Sequence, residues 1–434
     1  MNKEVRETNP LRFAAGMFGG VLTASYFTTF MAFFYVDKMS LDVKIYSAAL
    51  ALYSVLDAVD NPMYGYLSDR TRTRFGRRKP WLVLGILLCT VGVIAFFSPP
   101  SGLEGAMFVT YFIVTMLLTE TAISMIQANY GSLFPELFRT KQSRALANAL
   151  RQGLQFAATI IAVGLTPMLN ERFGYSATAV FLALTGGAIY LFSALGCHED
   201  QTLTETEKPA LFKSVKELLA SRNFWIVGIT GTMYSTAIAL IMAGVPFYIK
   251  YSLNAGGAGN SLLIGAVLVA ATGSLAAWNF ALKKFSLVTV WRASLAVLAL
   301  ALIPFYAANS LTLAVITGVF VGIGMGGYVS TGDLVTAYLI DEDMAKHGVR
   351  REGMFISILA FINRISGFIR SLVFLLLAAL YGFESGEAPG PNPGAAAKFL
   401  LIAAPFVLVA AGFICSMFMF LKDPIKKEGD NINE

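Results

Sequence analysis

Apolar runs of bilayer length, separated by short polar connections, repeat along the whole chain. They cover residues 11–36, 44–68, 80–98, 105–134, 146–168, 176–196, 223–250, 258–283, 288–307, 311–340, 354–382 and 397–421. A helix needs roughly 20 residues to cross the hydrocarbon of a membrane, and every run comes close to that or exceeds it. Charged residues make up only 14% of the 434, against 56% hydrophobic, where an average soluble domain carries roughly 25% charge. The pattern predicts an all-α membrane protein of twelve transmembrane helices.

The net charge of +6 does not point to nucleic acid, because the cations sit in short loops instead of lining one face. With both termini in the cytoplasm, only Lys38, Lys44, Arg172, Lys250 and Lys398 fall on the outer side. Arg151, Arg364 and Arg370 lie within spans, and the rest of the 33 Lys and Arg gather on the cytoplasmic side. That bias is the usual one for a multi-pass protein of the plasma membrane. The polar start MNKEVRETNP leads straight into the first run without a signal-peptide pattern, so the first span is expected to begin insertion itself.

The longest polar interruption, residues 197–222, divides the spans six and six. The expected organisation is a six-helix bundle over 1–196, a cytoplasmic linker over 197–222, a second bundle over 223–421 and a tail over 422–434. Two equal halves related by an axis along the membrane normal are the mark of a duplicated transporter. The cations after span 2 have an echo after span 8 in Lys283, Lys284 and Arg292.

Several conspicuous groups have structural explanations. The run VGIGMGGY, with Gly322, Gly324, Gly326 and Gly327, lies in a span with no preceding strand, so it reads as close helix packing and not as a dinucleotide loop. The stripe Tyr26, Phe27, Phe30, Phe33 and Phe34 reads as packing or lipid contact, with Tyr26 as a candidate cavity residue. Cys89, Cys197 and Cys415 lack the spacing of a metal or disulfide framework. His198 and His347 have no partners at ligand spacing. No nucleophile with its base, phosphate loop or metal cluster is present in the pattern, so an enzyme is not expected.

The chemistry then rests on ionisable residues inside the spans, each of which costs at least about 2.5 kcal/mol at mid-bilayer. These are Asp57, Asp60, Glu120, Asp333, Arg151, Arg364 and Arg370. Asp57 and Asp60 are three residues apart and share a helix face. Two neighbouring carboxylates in low dielectric call for a cation between them or a proton on one, so either sodium or a proton fits as coupling ion. Permanent pairing with a basic residue of another helix is the alternative. Asn61 and Ser124 offer further oxygens for a hard cation. Gln127, Asn129 and Tyr130 are candidate solute contacts or interhelical hydrogen bonds. Glu120, two turns from Gln127, is read as facing the same cavity, either as a proton-coupling acid or as a neutral hydrogen-bonded one. Asp333 and Arg364 are expected to pair across spans 10 and 11.

The order of DAVDNP in span 2, SDRTRTRFGRRKPW after it and IDEDMAKHGVRREGMF after span 10 resembles the glycoside-pentoside-hexuronide:cation symporter family of the major facilitator superfamily, over essentially the full length. The resemblance implies two six-helix bundles in the major facilitator fold. It also implies that Asp57 and Ser124 are cation ligands, that Arg151 binds the solute and that Arg364 helps link the halves. The chain departs from the family pattern at Asp60 and Asn61, where the polar residue and the second carboxylate exchange order, moving one charge by about 100° around the helix. It departs again where the family's sugar carriers have carboxylates on spans 1 and 4 and a stacking Trp. Here Gly19, Gly20 and Val21, Gln127 and Gly131 occupy those places, which shifts the expected pocket toward an anionic or less hydroxylated solute.

By the same resemblance, Asp69 with Arg74, Arg77 and Arg78, and Asp341 and Asp343 with Arg351, form cytoplasmic gating clusters, whose exposed pairs at about 0–1 kcal/mol each suit two states of similar energy. The expectation is a monomeric symporter of a sugar-like solute, anionic forms such as uronides and sulfonates included, with no cofactor beyond the coupling ion. A carrier of an amphipathic or lysolipid-like substrate and a non-transporting sensor are the alternatives.

Overall fold

The computed structural model of the chain describes residues 8–138, 141–198, 218–347 and 352–419. Among them every regular element is a helix, and a single bridge pairs Thr73 with Gly76. Most of the expected linker, the tail and Arg351 lie outside the described residues. The chain divides into two units: Met1–Glu205 with Gly256–Ser261 and Ala378–Pro391, and Thr206–Ala255 with Leu262–Leu377 and Asn392–Glu434.

In the first unit, α1 spans Pro10–Ala32 and continues as a π-helical turn over Phe33–Lys38. Asn9 starts it by accepting from the N–H groups of Leu11 and Arg12, the N-cap role that short polar side chains favour. Asp42 does the same for α2, Val43–Arg70, through the Lys44 N–H. The turn to α3, Lys79–Phe96, closes on Gly76, whose φ of 111° suits glycine. Then come α4, Gly105–Leu137, α5 over residues 141–173 and α6 over 175–196. No loop separates α5 from α6. Gly174, at φ 83° and ψ 163°, alone breaks an otherwise unbroken helical run.

Ten stretches of the described residues are long and apolar enough to cross a membrane. One of them, Leu146–Gly196, is 51 residues long and is divided at Gly174. The polar α2, with Asp57 and Asp60, is not among the ten. Divided and completed in this way, the spans number twelve.

α1 is the centre of its unit, packed on α5 and α6, while α3 packs on α4 and α6 and α2 on α4. Gly19 and Gly186 bring the backbones of α1 and α6 together, since a Cβ on either would meet the other's carbonyl. The aromatic stripe of α1 is core and not lipid contact: Phe27, Phe30 and Phe34 are buried, with their rings against Phe96, Phe97 and Tyr175. At the far end, a loop from the second half of the sequence docks on α1 and α2. The Gly386 N–H donates to Val36 O, and the Val43 N–H to Glu384 O, both at 2.8 Å.

The second unit repeats this scheme. Its helices are α7, Arg222–Tyr251; α8, Gly257–Lys284, whose first turn belongs to the first unit; α9, Leu287–Leu302; and α10, Leu311–His347. Next come α11, in two segments Glu352–Asn363 and Ile365–Tyr381, and α12, Pro393–Met417. α7 packs on α12 and α11, and α9 on α10 and α12, which are the counterparts of the α1, α5, α6 and α3, α4, α6 contacts. The glycines of α10 behave as packing residues. Gly322 and Gly326 lie against the backbone of Val267 and Ala271 on α8, and Gly324 lies against Leu298 on α9.

The helix ends repeat as well. Lys79 Nζ donates to the carbonyls of Leu195 and Cys197 at the close of α6. Arg292 donates to those of Ser416 and Met419 at the close of α12. Arg12 lies over the Phe192 ring and Arg222 over the Phe418 ring. Cations at carbonyl-rich helix ends satisfy orphan acceptors and oppose the dipole, so the basic echo at Arg292 has a structural role.

Candidate functional site

The seam between α2 and α4 gathers three of the four intramembrane acids, Asp57, Asp60 and Glu120. Asp57 and Asp60 are 8% and 7% exposed and Glu120 is 6% exposed, so the apolar spans bury three carboxylates in one place. The Tyr53 hydroxyl, one turn before Asp57 on the same helix, donates to Asp57 Oδ1 at 3.0 Å. Ser124 on α4 donates to the same oxygen, also at 3.0 Å, and the two hydroxyl oxygens are 3.3 Å apart. Thr121 donates to Asp60 Oδ2 at 3.2 Å. Two carboxylates and the three hydroxyls that donate to them place five side chains with oxygen donors on one seam, and oxygen donors suit hard cations. Asn61 belongs to the same turn of α2, and its side chain lies outside the described residues.

Tyr53 and Thr121 were not among the residues singled out in the sequence. Each had a signal in spacing: Tyr53 is four residues before Asp57 and Thr121 three before Ser124, which places each on its partner's helix face. Glu120 is one turn before Ser124 and within electrostatic reach of Tyr53 and Cys89. Gln127, two turns further along α4, is exposed.

Arg151 on α5 is half-buried, with its guanidinium 4.9 Å from the centre of the Phe134 ring. Its Nε is buried and has no hydrogen-bond partner. Gly153, two residues on in α5, and Gly131, three residues before Phe134 in α4, have no heavy atom within 4 Å of where a Cβ would stand. Three other expected solute contacts, Tyr26, Tyr130 and Asn129, bond within the fold. Tyr26 donates to Asn170 Oδ1 and Tyr175 O. Tyr130 donates to Phe13 O at 2.7 Å and stacks on the Phe13 ring. Asn129, fully buried, donates to Met125 O one turn back on its own helix. These donors are engaged in helix packing because an unmet donor inside the bilayer is costly, while Asn129 Oδ1 is buried without a hydrogen-bond partner.

In the second unit, Arg364 occupies the break in α11, where its N–H donates to Phe361 O and its carbonyl accepts from the Gly367 N–H, both at 3.1 Å. The expected pair with Asp333 is not found among the described residues. Asp333 is exposed on α10, close to Tyr328, which stacks on Tyr234.

Of the two basic-acidic clusters, the first has Arg74 exposed over its neighbour Phe75 and Arg77 and Arg78 half-buried before α3. The side chain of Asp69 lies outside the described residues. In the second, Asp341 is exposed. Asp343 lines a cavity of about 360 Å³ with Arg222, Asn223, Glu342 and Lys346. There Lys346 pairs with Glu342 at 2.5 Å and Asn223 donates to Glu342 at 3.4 Å.

A family model described as MFS/sugar transport protein matches residues 12–424. The chain belongs to that family. Its members are transporters and not enzymes, and the membership agrees with the glycoside-pentoside-hexuronide:cation symporters that the span 2 motif resembles. A symporter of Synechocystis sp. is 26% identical over 49% of the chain and 40% of its own length, and the chain spans about half the length of relatives such as this one. An isoprimeverose transporter of Lactiplantibacillus pentosus is 24% identical over 85% of the chain and 79% of its own. Among solved structures, a bacterial homologue of the human lysosomal transporter Spinster superposes with a TM-score of 0.69 at 13% identity, covering 94% of this chain and 96% of the other. That likeness gives the same major facilitator fold to this family member.

Proposed function

We propose that the chain is a cation-coupled symporter of a sugar-like solute, anionic sugars such as uronides and sulfonates included, working by alternating access in a plasma membrane with both termini in the cytoplasm. The observation that carries the proposal is the burial of Asp57 and Asp60 on one face of α2, each meeting a hydroxyl of α4. Negative charge kept in an apolar seam is tolerated in membrane proteins where ions are bound or protons relayed. The name of the isoprimeverose transporter supports a sugar-like solute, and that of the Synechocystis symporter supports coupled transport. Arg151 supports the anionic branch, because a guanidinium with a free buried donor suits a carboxylate or sulfonate.

Uptake into proteoliposomes under an imposed sodium or proton gradient tests the function, after a thermal-shift screen of sugars, uronides, sulfonates and lysolipids has chosen the solute. Concentrative uptake driven by one gradient and lost in Asp57→Asn is expected. Asp57→Asn protein that still concentrates solute would show that the ion binds elsewhere, and stabilisation by lysolipids alone would move the solute to the amphipathic class.

A further inference from the structure

Three oxygens on the α2–α4 seam form a closed triangle. Tyr53 Oη and Ser124 Oγ each stand 3.0 Å from Asp57 Oδ1 and 3.3 Å from one another. All three residues are buried, Tyr53 at 6% exposure, Asp57 at 8% and Ser124 at 1%. Both hydroxyls point their hydrogens at one carboxylate oxygen. That arrangement spreads the charge of Asp57 by two charge-assisted hydrogen bonds.

We propose that Tyr53 is a member of the coupling-ion site, and that its phenol oxygen turns from donor to ligand when a metal cation binds at Asp57. The inference rests on the reading of Asp57 as the cation-binding carboxylate. A hydroxyl carries one donor and two acceptor lone pairs, so rotation about a single C–O bond converts each of the two contacts from hydrogen-bonding to coordinating. Hard cations gather several oxygens, whereas a proton needs one. A triangle of one carboxylate oxygen and two hydroxyl oxygens therefore serves a metal cation. Tyr53 then has two parts: it steadies Asp57 in the ion-free carrier, and it contributes a neutral ligand in the loaded one.

The test is a sodium titration of the melting temperature of the purified protein, with NaCl replacing choline chloride at constant ionic strength and pH. Wild type, Tyr53→Phe, Ser124→Ala and Asp57→Asn are compared. Sodium is expected to raise the melting temperature of wild type in a saturable way and to leave Asp57→Asn unmoved. Tyr53→Phe, which keeps the ring and loses only the hydroxyl, is expected to need about tenfold more sodium or greater for half the effect, the loss of one good contact to a charged group, as is Ser124→Ala. Half-saturation of Tyr53→Phe within twofold of wild type, or tighter, overturns the role of Tyr53 while leaving Asp57 as the ion site. A sodium response that survives in Asp57→Asn, or its absence in wild type, overturns the Asp57 metal site and Tyr53's part in it together.

Discussion

Thr121 on α4 donates to Asp60 Oδ2 on α2 at 3.2 Å, so the second carboxylate of the seam, like the first, is held by a hydroxyl from the facing helix. Thr121→Val keeps the shape and removes the donor. A hydrogen bond to a charged group contributes about 1.5–3 kcal/mol, so the cation concentration for half-maximal uptake is expected to rise about tenfold or more. Thr121→Ser, which keeps the hydroxyl, is expected to stay near wild type. Cation-dependent uptake across the two variants checks this, and equal behaviour of Val and Ser would mean that the contact is only packing.

Arg151 lies over Phe134 with a buried Nε that has no hydrogen-bond partner. Arg151→Lys keeps the charge but loses the planar fork and most of the stacking. Transport of an anionic sugar is therefore expected to weaken about tenfold or more in Arg151→Lys, on the scale of a bidentate contact, and transport of a neutral analogue to change far less. Competition between a uronide and its neutral sugar in wild type and variant separates the two. A loss of equal size for both solutes would make Arg151 a structural residue.

Gly322 on α10 has no room for a side chain, since a Cβ there would strike the Val267 carbonyl of α8. Gly265 on α8 opens onto free space. Gly322→Ala is expected to destabilise the protein by about 1–3 kcal/mol through overpacking, whereas Gly265→Ala is expected to be neutral or mildly stabilising, as Ala is the better helix former. Melting temperatures of the two variants in the same detergent give the comparison.

The features that the sequence made legible are those set by local physics. Run lengths and loop cations predicted the twelve spans, and the spacing of Asp57 and Asp60 placed both on one face of α2. Side-chain partners chosen by tertiary packing were harder to read. Tyr130 and Tyr26 left two readings open, a solute contact or packing within the bundle, because a hydroxyl in a span needs a partner. Which partner it takes depends on the approach of α1 to α4 and α5, and in both cases a group within the bundle stands there. Arg364 was expected to answer the charge of Asp333. It falls instead at a break in α11, which a run of apolar residues does not announce. Thr121 escaped notice because threonine is common in spans and its hydroxyl usually returns to its own helix, as those of Thr115 and Thr119 do.

Arg292 closes α12 by donating from Nε and Nη2 to Ser416 O and from Nη2 to Met417 O and Met419 O, at 2.7–3.4 Å. Without it, carbonyls at the helix end lose a cationic partner, which opposes the helix dipole as well as supplying hydrogen bonds. Arg292→Ala is expected to destabilise the protein by about 1–3 kcal/mol and to speed hydrogen exchange in the last turn of α12. In Arg292→Lys part of the stability is expected to return, because Lys79 meets two carbonyls at the end of α6 in the same way. Exchange confined to that turn, measured by mass spectrometry, distinguishes a lost cap from general loosening. Faster exchange throughout α9 and α12 would mean instead that Arg292 holds the two helices together.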